Sequence, residues 1–189
     1  MNIIIFGPPG AGKGTQSKMI CEKENLLHIS TGDILRNEIN SDSELGNNIK
    51  SLIDQGDLVS DEITLDVIRT FIKKNEGDHS GFLFDGFPRT IQQADLLSDL
   101  FKNMNINLSA AVLIDVEQSV LINRIINRKE VEGRDDDNEV ILASRLKIYY
   151  DQTAPLIDYY KNLKLLKWVD GVGEINVVNQ RINSILKVL

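Results

Sequence analysis

Short apolar segments alternate with amphipathic ones along most of this chain. The apolar segments are rich in β-branched and aromatic residues, and their lengths favour buried strands over helices. We expect five strands, at Ile3–Phe6, Leu26–Ser30, Gly81–Asp85, Ser109–Asp115 and Leu163–Val169. Buried strands that alternate with helices predict a parallel sheet with helices on both faces, whose strands end at one shared edge.

Amphipathic patterns predict helices between these strands. We expect them at 16–21, 61–74, after Thr90, at 117–128, 139–150, from Pro155 onward, and from Ile175 to the end. Two stretches lack such a pattern. Residues 30–59 are polar and interrupted by Gly46 and Gly56, which predicts short helices forming a small mobile lobe, and Lys129 to Asn138 is predicted to be a short polar loop.

The first strand leads directly into Gly7-Pro8-Pro9-Gly10-Ala11-Gly12-Lys13-Gly14-Thr15. A strand, a glycine loop with this spacing and a helix are the context of a phosphate-binding P-loop, whose backbone N–H groups face an anion. The same glycines could form a simple turn, but the full spacing favours a site for a nucleoside triphosphate. Gly14 replaces the hydroxyl that often binds Mg²⁺, and Thr15 comes one place later. The metal is therefore expected on the nucleotide, on waters and on a carboxylate.

Charged residues near the predicted sheet edge are the second chemical signal. Asp85 ends a strand, where it can hold Mg²⁺ through the water shell of the ion or cap a turn. For Asp115, which also ends a strand, the cap is the favoured interpretation. Six arginines fall at loops or helix ends: Arg36, Arg89, Arg124, Arg128, Arg134 and Arg145. Each alone could be a surface ion-pair partner, but beside a P-loop they favour a phosphate cage.

Composition narrows the class of protein further. The 189 residues suit one domain with small inserted lobes, and the net charge of −7 argues against a broad nucleic-acid or membrane surface. No apolar segment approaches the ~18 residues of a membrane-spanning helix, and the N-terminus lacks the features of a signal peptide. Because Cys21 is the single cysteine, we expect no disulfide and no multi-cysteine zinc site. These features predict a cytoplasmic protein.

Several ordered motifs resemble the adenylate kinases. They are the P-loop followed by Gln16, Ser30-Thr31-Gly32-Asp33 with Arg36, Asp85-Gly86-Phe87-Pro88-Arg89-Thr90, Thr153-Ala154-Pro155-Leu156-Ile157 and Val169-Asp170-Gly171. The resemblance implies a three-layer P-loop kinase fold with a five-stranded parallel sheet. It implies a core of residues 1–29, 60–127 and 139–189, a monophosphate-binding helical lobe at 30–59 and a short lid at 128–138.

The resemblance also implies roles for individual residues. ATP would be held by Gly10, Ala11, Gly12, Lys13, Gly14, Thr15, Arg124, Arg128 and the Gly171–Gly173 turn. AMP would be held by Thr31, Arg36, Asp57, Leu58, Val59, Gly86, Phe87, Pro88, Arg89, Gln93, Arg134 and Arg145. The implied catalytic charges are Lys13, Arg89, Arg124, Arg128, Arg134 and Arg145, of which Arg134 and Arg145 would cross the gap between the two phosphate chains.

The implied reaction is the reversible Mg²⁺-dependent transfer of the terminal phosphoryl group of ATP to AMP, which gives two ADP. No structural zinc is implied, because the lid is of the short form, and a monomer is expected. Gly173 stands where some relatives have lysine, which leaves a backbone contact to adenine. A UMP/CMP kinase is the nearest alternative, but Thr31 and Thr90 favour AMP. A nucleotide-dependent switch or ATPase would leave the monophosphate motif unexplained.

Overall fold

The fold is seen in a computed structural model. The structure describes residues 1–40, 46–47, 49–51, 59–75, 77, 79–132 and 139–189, with backbone alone at 126–132 and 139–140.

A parallel sheet forms the centre of the described chain. Its five strands are β1 (Ile3–Phe6), β2 (Leu27–Ser30), β3 (Phe82–Asp85), β4 (Ala110–Asp115) and β5 (Leu166–Asp170). They are arranged in the order β2-β3-β1-β4-β5, and every neighbouring pair is parallel. The predicted α/β fold with a five-stranded parallel sheet is therefore confirmed.

Helices connect the strands and cover both faces of the sheet. They are α1 (Lys13–Glu24), α2 (Thr31–Ile39), α3 (Asp61–Lys74), α4 (Ile91–Asn103), α5 (Gln118–Glu132), α6 (Glu139–Ile148), α7 (Leu156–Asn162) and α8 (Ile175–Leu186). Tyr149–Thr153 continue α6 as a π-helical turn. Among the described residues, no helix combines the length and the apolar character needed to cross a bilayer.

The alternating side chains of β1 separate two hydrophobic cores. Ile3 and Ile5 point to the core beneath α1, α5 and α8, where they meet Ile20 and Ile182. Ile4 and Phe6 point to the opposite core, which also contains side chains of α3, α4 and α7. Because successive residues of a strand face opposite sides, this short apolar segment holds the three layers together.

A third and smaller cluster lies within the stretch predicted to form a lobe. Leu35, Ile49 and Val59 are buried there, and Ile63 and Val67 of α3 pack against them. The predicted lobe boundaries stay predictions, since residues 41–45, 48 and 52–58 lie outside the described part of the chain.

Several predicted boundaries are wrong, and the first helix, predicted at 16–21, spans Lys13–Glu24. The fifth strand begins at Leu166 rather than Leu163, because α7 runs to Asn162 and Lys164 adopts a φ of 60°, in the left-handed region. Helix α5 continues to Glu132, so the polar loop does not begin at Lys129. Residues 129–132 include good helix formers and contain neither glycine nor proline.

Candidate active site

A cleft of about 870 Å³ opens at the carboxyl edge of the strands. The P-loop forms one part of its wall, and segments that follow β2, β3 and β5 form the others. Ligands in open α/β sheets bind at this edge, because the loops that leave parallel strands meet there. The topology thus joins segments that are far apart in sequence.

The P-loop leads from β1 into the first turn of α1. Gly12 is the N-cap residue of α1 with a φ of 90°, a conformation that strongly favours glycine over residues with a β-carbon. The Lys13 ammonium donates to the carbonyl oxygens of Gly7 at 2.8 Å and Pro8 at 2.9 Å. The lysine therefore lies over its own loop, where a cation and the N-terminus of a 12-residue helix act together on an anion.

Asp85 faces the P-loop from the end of β3. The residue is buried, and a β-carbon at Gly14 would lie 3.6 Å from its Oδ2 atom. His28 Nε2 lies 3.6 Å from the same oxygen, close to it but beyond hydrogen-bond distance. Parallel pairing explains the contact: His28 lies beside Leu83 in the register, and Asp85 projects from the same sheet face two residues later.

The segments after β2 and β3 approach each other closely on this side of the cleft. The Thr31 hydroxyl donates to the Asp85 carbonyl at 3.3 Å, and Gly86 lies against Thr31 with a φ of 83°. A β-carbon at Gly86 would lie 2.9 Å from Thr31 Oγ1, so the turn needs glycine here. The Arg36 guanidinium pairs with Asp33 and lies over Gly32, where a β-carbon would be 3.2 Å from Nη2.

Arg89 is held in place by its own turn and by Gln93. Its Nε donates to the Gly86 carbonyl at 2.8 Å, and its backbone N–H donates to Gln93 Oε1 at 2.7 Å. The Gln93 amide in turn donates to Asp61 Oδ1 at 2.7 Å. Thr90 caps α4 by accepting from the Gln93 N–H. The guanidinium is thus oriented before any ligand arrives.

Positive charge converges around Arg89. Its pKa is lowered to about 10, mainly by burial and then by the charges of Arg145 and Arg36, while Asp85 opposes them. Guanidinium groups match phosphate oxygens bidentately and keep their charge where water is excluded, so several of them around one cleft suit an anionic ligand. These three arginines therefore form a site suited to a phosphate chain, and Arg89 stays charged at neutral pH.

A turn between β5 and α8 closes the other end of the cleft. Arg124 donates to the carbonyls of Gly171 at 3.0 Å and Gly173 at 3.4 Å, and also to that of Ala11 at 3.4 Å. Arg181 donates to the carbonyls of Asp170 and Val172. Arg124 therefore joins this turn to the P-loop, and Arg181 joins it to α8.

The structure brings together most of the predicted site residues that it describes. The cleft is lined by Gly10, Ala11, Gly12, Lys13, Gly14, Thr15, Arg36, Asp85, Gly86, Pro88, Arg89, Arg124, Arg145 and Gly173. Thr31, Val59, Phe87 and Gln93 are buried, and they are absent from this lining. Asp57, Leu58 and Arg134 lie outside the described residues, as does the side chain of Arg128.

Sequence reasoning missed several residues of the cleft. Gln16, Ile175 and Tyr149 line it. Burial, together with Asp115 and Tyr150, raises the pKa of Tyr149 to about 12. Its phenol therefore stays protonated. Gln16 follows the P-loop directly, which was a signal in the sequence, whereas nothing local to Tyr149 or Ile175 indicated their positions.

A strand, P-loop and helix beside a cluster of arginines define a P-loop protein that binds phosphorylated nucleotides. Comparison with known proteins makes this class more specific. The adenylate kinase family model matches residues 5–165. The adenylate kinase of Prochlorococcus marinus is 42% identical over 185 residues, which cover 97% of each chain. The adenylate kinase of Bacteroides thetaiotaomicron is 44% identical over 176 residues, 93% of each chain, and that of Flavobacterium psychrophilum is 41% identical over 98% of each.

The chain therefore belongs to the adenylate kinase family. Its class of activity is that of a nucleoside monophosphate kinase, a phosphotransferase. The resemblance noted in the sequence is confirmed.

Proposed function

We propose that this enzyme transfers the terminal phosphoryl group of ATP to AMP and gives two ADP. The observation that carries the proposal is the arrangement of two phosphate-binding regions in one cleft, the P-loop with Lys13 and the group formed by Arg36, Arg89 and Arg145. Asp85 lies between them, close to Gly14. Two phosphate chains that enter from opposite ends would meet beside this carboxylate.

In this proposal the chain acts by positioning and by charge. Lys13 and the N–H groups of residues 10–15 bind the ATP phosphates, and Arg89 with Arg36 and Arg145 binds the phosphate of AMP. Phosphoryl transfer needs little acid–base chemistry, because alignment and stabilisation of the developing charge supply most of the rate. The arginines keep their charge where water is excluded, which suits them to follow that charge.

Mg²⁺ bound with ATP would neutralise phosphate charge during the transfer. The fit to this chain rests on Asp85, a buried carboxylate with an oxygen that faces the first turn of α1. One hard oxygen ligand suits an ion held mainly by phosphates and water, and Asp85 would hold it through that water. Among the described residues, no group of three or more potential metal-binding side chains is assembled.

Further assignments extend the proposal to the rest of the site. Thr31, Gly86, Phe87, Pro88, Gln93 and the segment Asp57 to Val59 would surround AMP, and Arg124, Arg128 and Gly173 would contact ATP. Arg134 would reach across from the short lid at 128–138, and residues 30–59 would form the acceptor lobe. Cytoplasmic location, a monomeric state and the lack of nucleic-acid or membrane partners stay predictions from the sequence.

The acceptor can be tested directly against the alternatives. ADP formation is measured with ATP and Mg²⁺ alone, and then with AMP, UMP or CMP added. The proposal predicts product only with an acceptor and the highest kcat/KM with AMP. Faster turnover of UMP or CMP would assign a pyrimidine nucleotide kinase instead, and ADP formed equally without any acceptor would assign an ATPase.

A further inference from the structure

Four polar side chains form a continuous ladder of hydrogen bonds between α1 and α8. Gln16 Nε2 donates to the Ile175 carbonyl at 2.9 Å, and Asn179 Nδ2 donates to Gln16 Oε1 at 3.0 Å. Asn183 Nδ2 donates to Asn179 Oδ1 at 2.6 Å, and Lys23 Nζ donates to Asn183 Oδ1 at 2.8 Å. We refer to these four side chains as the amide ladder.

The direction of the amide ladder is fixed by its outer end. A lysine ammonium can only donate, so Asn183 must present its oxygen to Lys23 and its NH₂ group to Asn179. The same constraint passes to Asn179 and then to Gln16, which is left with an NH₂ group directed at the Ile175 carbonyl. Each amide is therefore satisfied on both sides in a single orientation, and hydrogen bonds in such chains polarise and strengthen one another.

The inner end of the amide ladder lies at the part of the cleft nearest the P-loop. Gln16 is 3% exposed, follows Thr15 in the first turn of α1 and lines the cleft. Ile175 is the first residue of α8 and follows the Gly171–Gly173 turn. The bond between them thus joins the segment that would bind the ATP phosphates to the segment that would border its base.

Apolar packing alone does not fix this geometry. Ile20 and Cys21 of α1 lie in one core with Val178 and Ile182 of α8, and the hydrophobic effect that holds them together is non-directional. Hydrogen bonds with defined donors and acceptors are directional. The amide ladder therefore sets how the first turns of the two helices lie relative to each other.

We propose that Asn179 is a positioning residue for the triphosphate nucleotide. By holding the Gln16 amide in one orientation, it fixes the spacing between the P-loop helix and the turn before α8, so that the site is formed before ATP binds. Pre-formed sites bind more tightly because less ordering is left to occur on binding. The proposal rests on the proposed function, since it takes the P-loop side of the cleft to be the ATP site.

The test compares two substitutions of one side chain with a matched control. Asn179→Leu keeps the approximate shape but removes both hydrogen bonds, and Asn179→Asp keeps the shape but cannot donate to Gln16. Gln180→Leu makes the same amide-to-leucine change at the next position, which is exposed. Calorimetry measures the Kd of β,γ-imido ATP and, separately, of AMP, at 0.15 and 0.5 M salt so that the added charge of the aspartate is screened.

We expect both Asn179 variants to bind β,γ-imido ATP about 3- to 10-fold more weakly, the effect of one lost hydrogen bond. AMP binding should stay within about 2-fold, and Gln180→Leu should resemble the wild type in both. An equal loss for both nucleotides would overturn the proposal, since it would indicate general destabilisation. Wild-type affinity for β,γ-imido ATP in Asn179→Leu would also overturn the proposal. Wild-type affinity in Asn179→Asp alone would overturn it as well, because that result would assign Asn179 a packing role.

The wild-type protein is measured first, with AMP titrated into the β,γ-imido ATP complex. Failure of the proposed function would appear as wild-type protein that does not bind both nucleotides. Failure of the proposal for the amide ladder would appear as wild-type protein that binds both nucleotides and Asn179 variants that bind them with the same affinity.

Discussion

The two ends of the cleft use arginine in different ways. At the end near α8, Arg124 and Arg181 are occupied with backbone carbonyls between Asp170 and Gly173. At the other end, Arg89 lies so near Arg145 and Arg36 that their charges lower its pKa. At the first end, a ligand would meet backbone that arginine side chains hold in place. At the second end, it would meet the charged guanidinium groups directly. Substitutions at the two ends should therefore fail in different ways.

The largest effect is expected at the charged end. Arg89→Ala should lower kcat/KM for AMP by about 10²- to 10³-fold, because it removes several kcal/mol of transition-state stabilisation. Binding of β,γ-imido ATP should change little. Arg69→Ala is the matched control, since Arg69 is exposed on α3 and pairs with Asp66. An Arg89→Ala enzyme as active as the control would remove Arg89 from the reaction.

Asp85→Asn tests the carboxylate between the two ends. The amide keeps the size of the side chain but lowers its affinity for a hard cation and its water shell. We expect kcat to fall by about 10- to 10²-fold and the Mg²⁺ concentration for half-maximal rate to rise. A titration with Mg²⁺ measures both quantities, and an unchanged Mg²⁺ dependence would mean that Asp85 acts only in the turn between β3 and Arg89.

Arg124→Ala should affect the main-chain end selectively. Its loss leaves the Gly171 and Gly173 carbonyls without a charged donor, and hydrogen bonds to charged groups contribute about 1.5–3 kcal/mol. The KM for ATP should therefore rise by roughly 10-fold and the Tm should fall, while the KM for AMP stays within about 2-fold. A fall in kcat with both KM values unchanged would contradict the distinction between the two ends.

The pH dependence of AMP binding sharpens the same distinction. The pKa of Arg89 is about 10, so the KM for AMP should be flat from pH 7.5 to 9 and should rise as the charge is lost above pH 10. Since the unfolded chain keeps this proton to a higher pH than the native protein does, the release of the proton adds to stability as the pH rises, and the loss is one of binding and not of folding. A rise that persists in Arg89→Ala would assign the titration to another group.

The smallest effect concerns Cys21, on the buried face of α1. Burial raises its pKa from 9.0 to about 12, and the nearby charges of Asp85 and Glu22 act in the same direction. The thiolate is the reactive form, so labelling by a thiol reagent at pH 8 should be very slow in the native enzyme and fast in urea. Fast labelling of the native enzyme would mean that α1 separates from the sheet. That result would contradict a rigid P-loop side of the cleft.

The sequence predicted those features that depend on local pattern. The carboxyl ends of the first four strands and the position of the P-loop follow from residues close together in the chain, and the structure has all of them. The predicted parallel sheet also places Asp85 near the P-loop, because the carboxyl ends of parallel strands share one edge of the sheet.

Contacts between distant elements were beyond local reasoning. The amide ladder joins residues about 160 positions apart in the sequence. In the sequence itself, Asn179 and Asn183 are merely polar positions of an amphipathic helix. The proximity of His28 to Asp85 needed the register of β2 against β3. The predicted bounds of α5 and β5 were wrong because the composition of a segment does not by itself show where the preceding helix stops.

We expect two nucleotides to occupy the cleft together, one at each end. AMP can be titrated calorimetrically into protein that is already saturated with β,γ-imido ATP and Mg²⁺. One further equivalent of AMP should bind per chain, with the Kd weakened in Arg89→Ala and retained in Arg69→Ala. If saturation with the ATP analogue abolished AMP binding in the wild type, the cleft would hold one nucleotide only and could not bring two phosphate chains together.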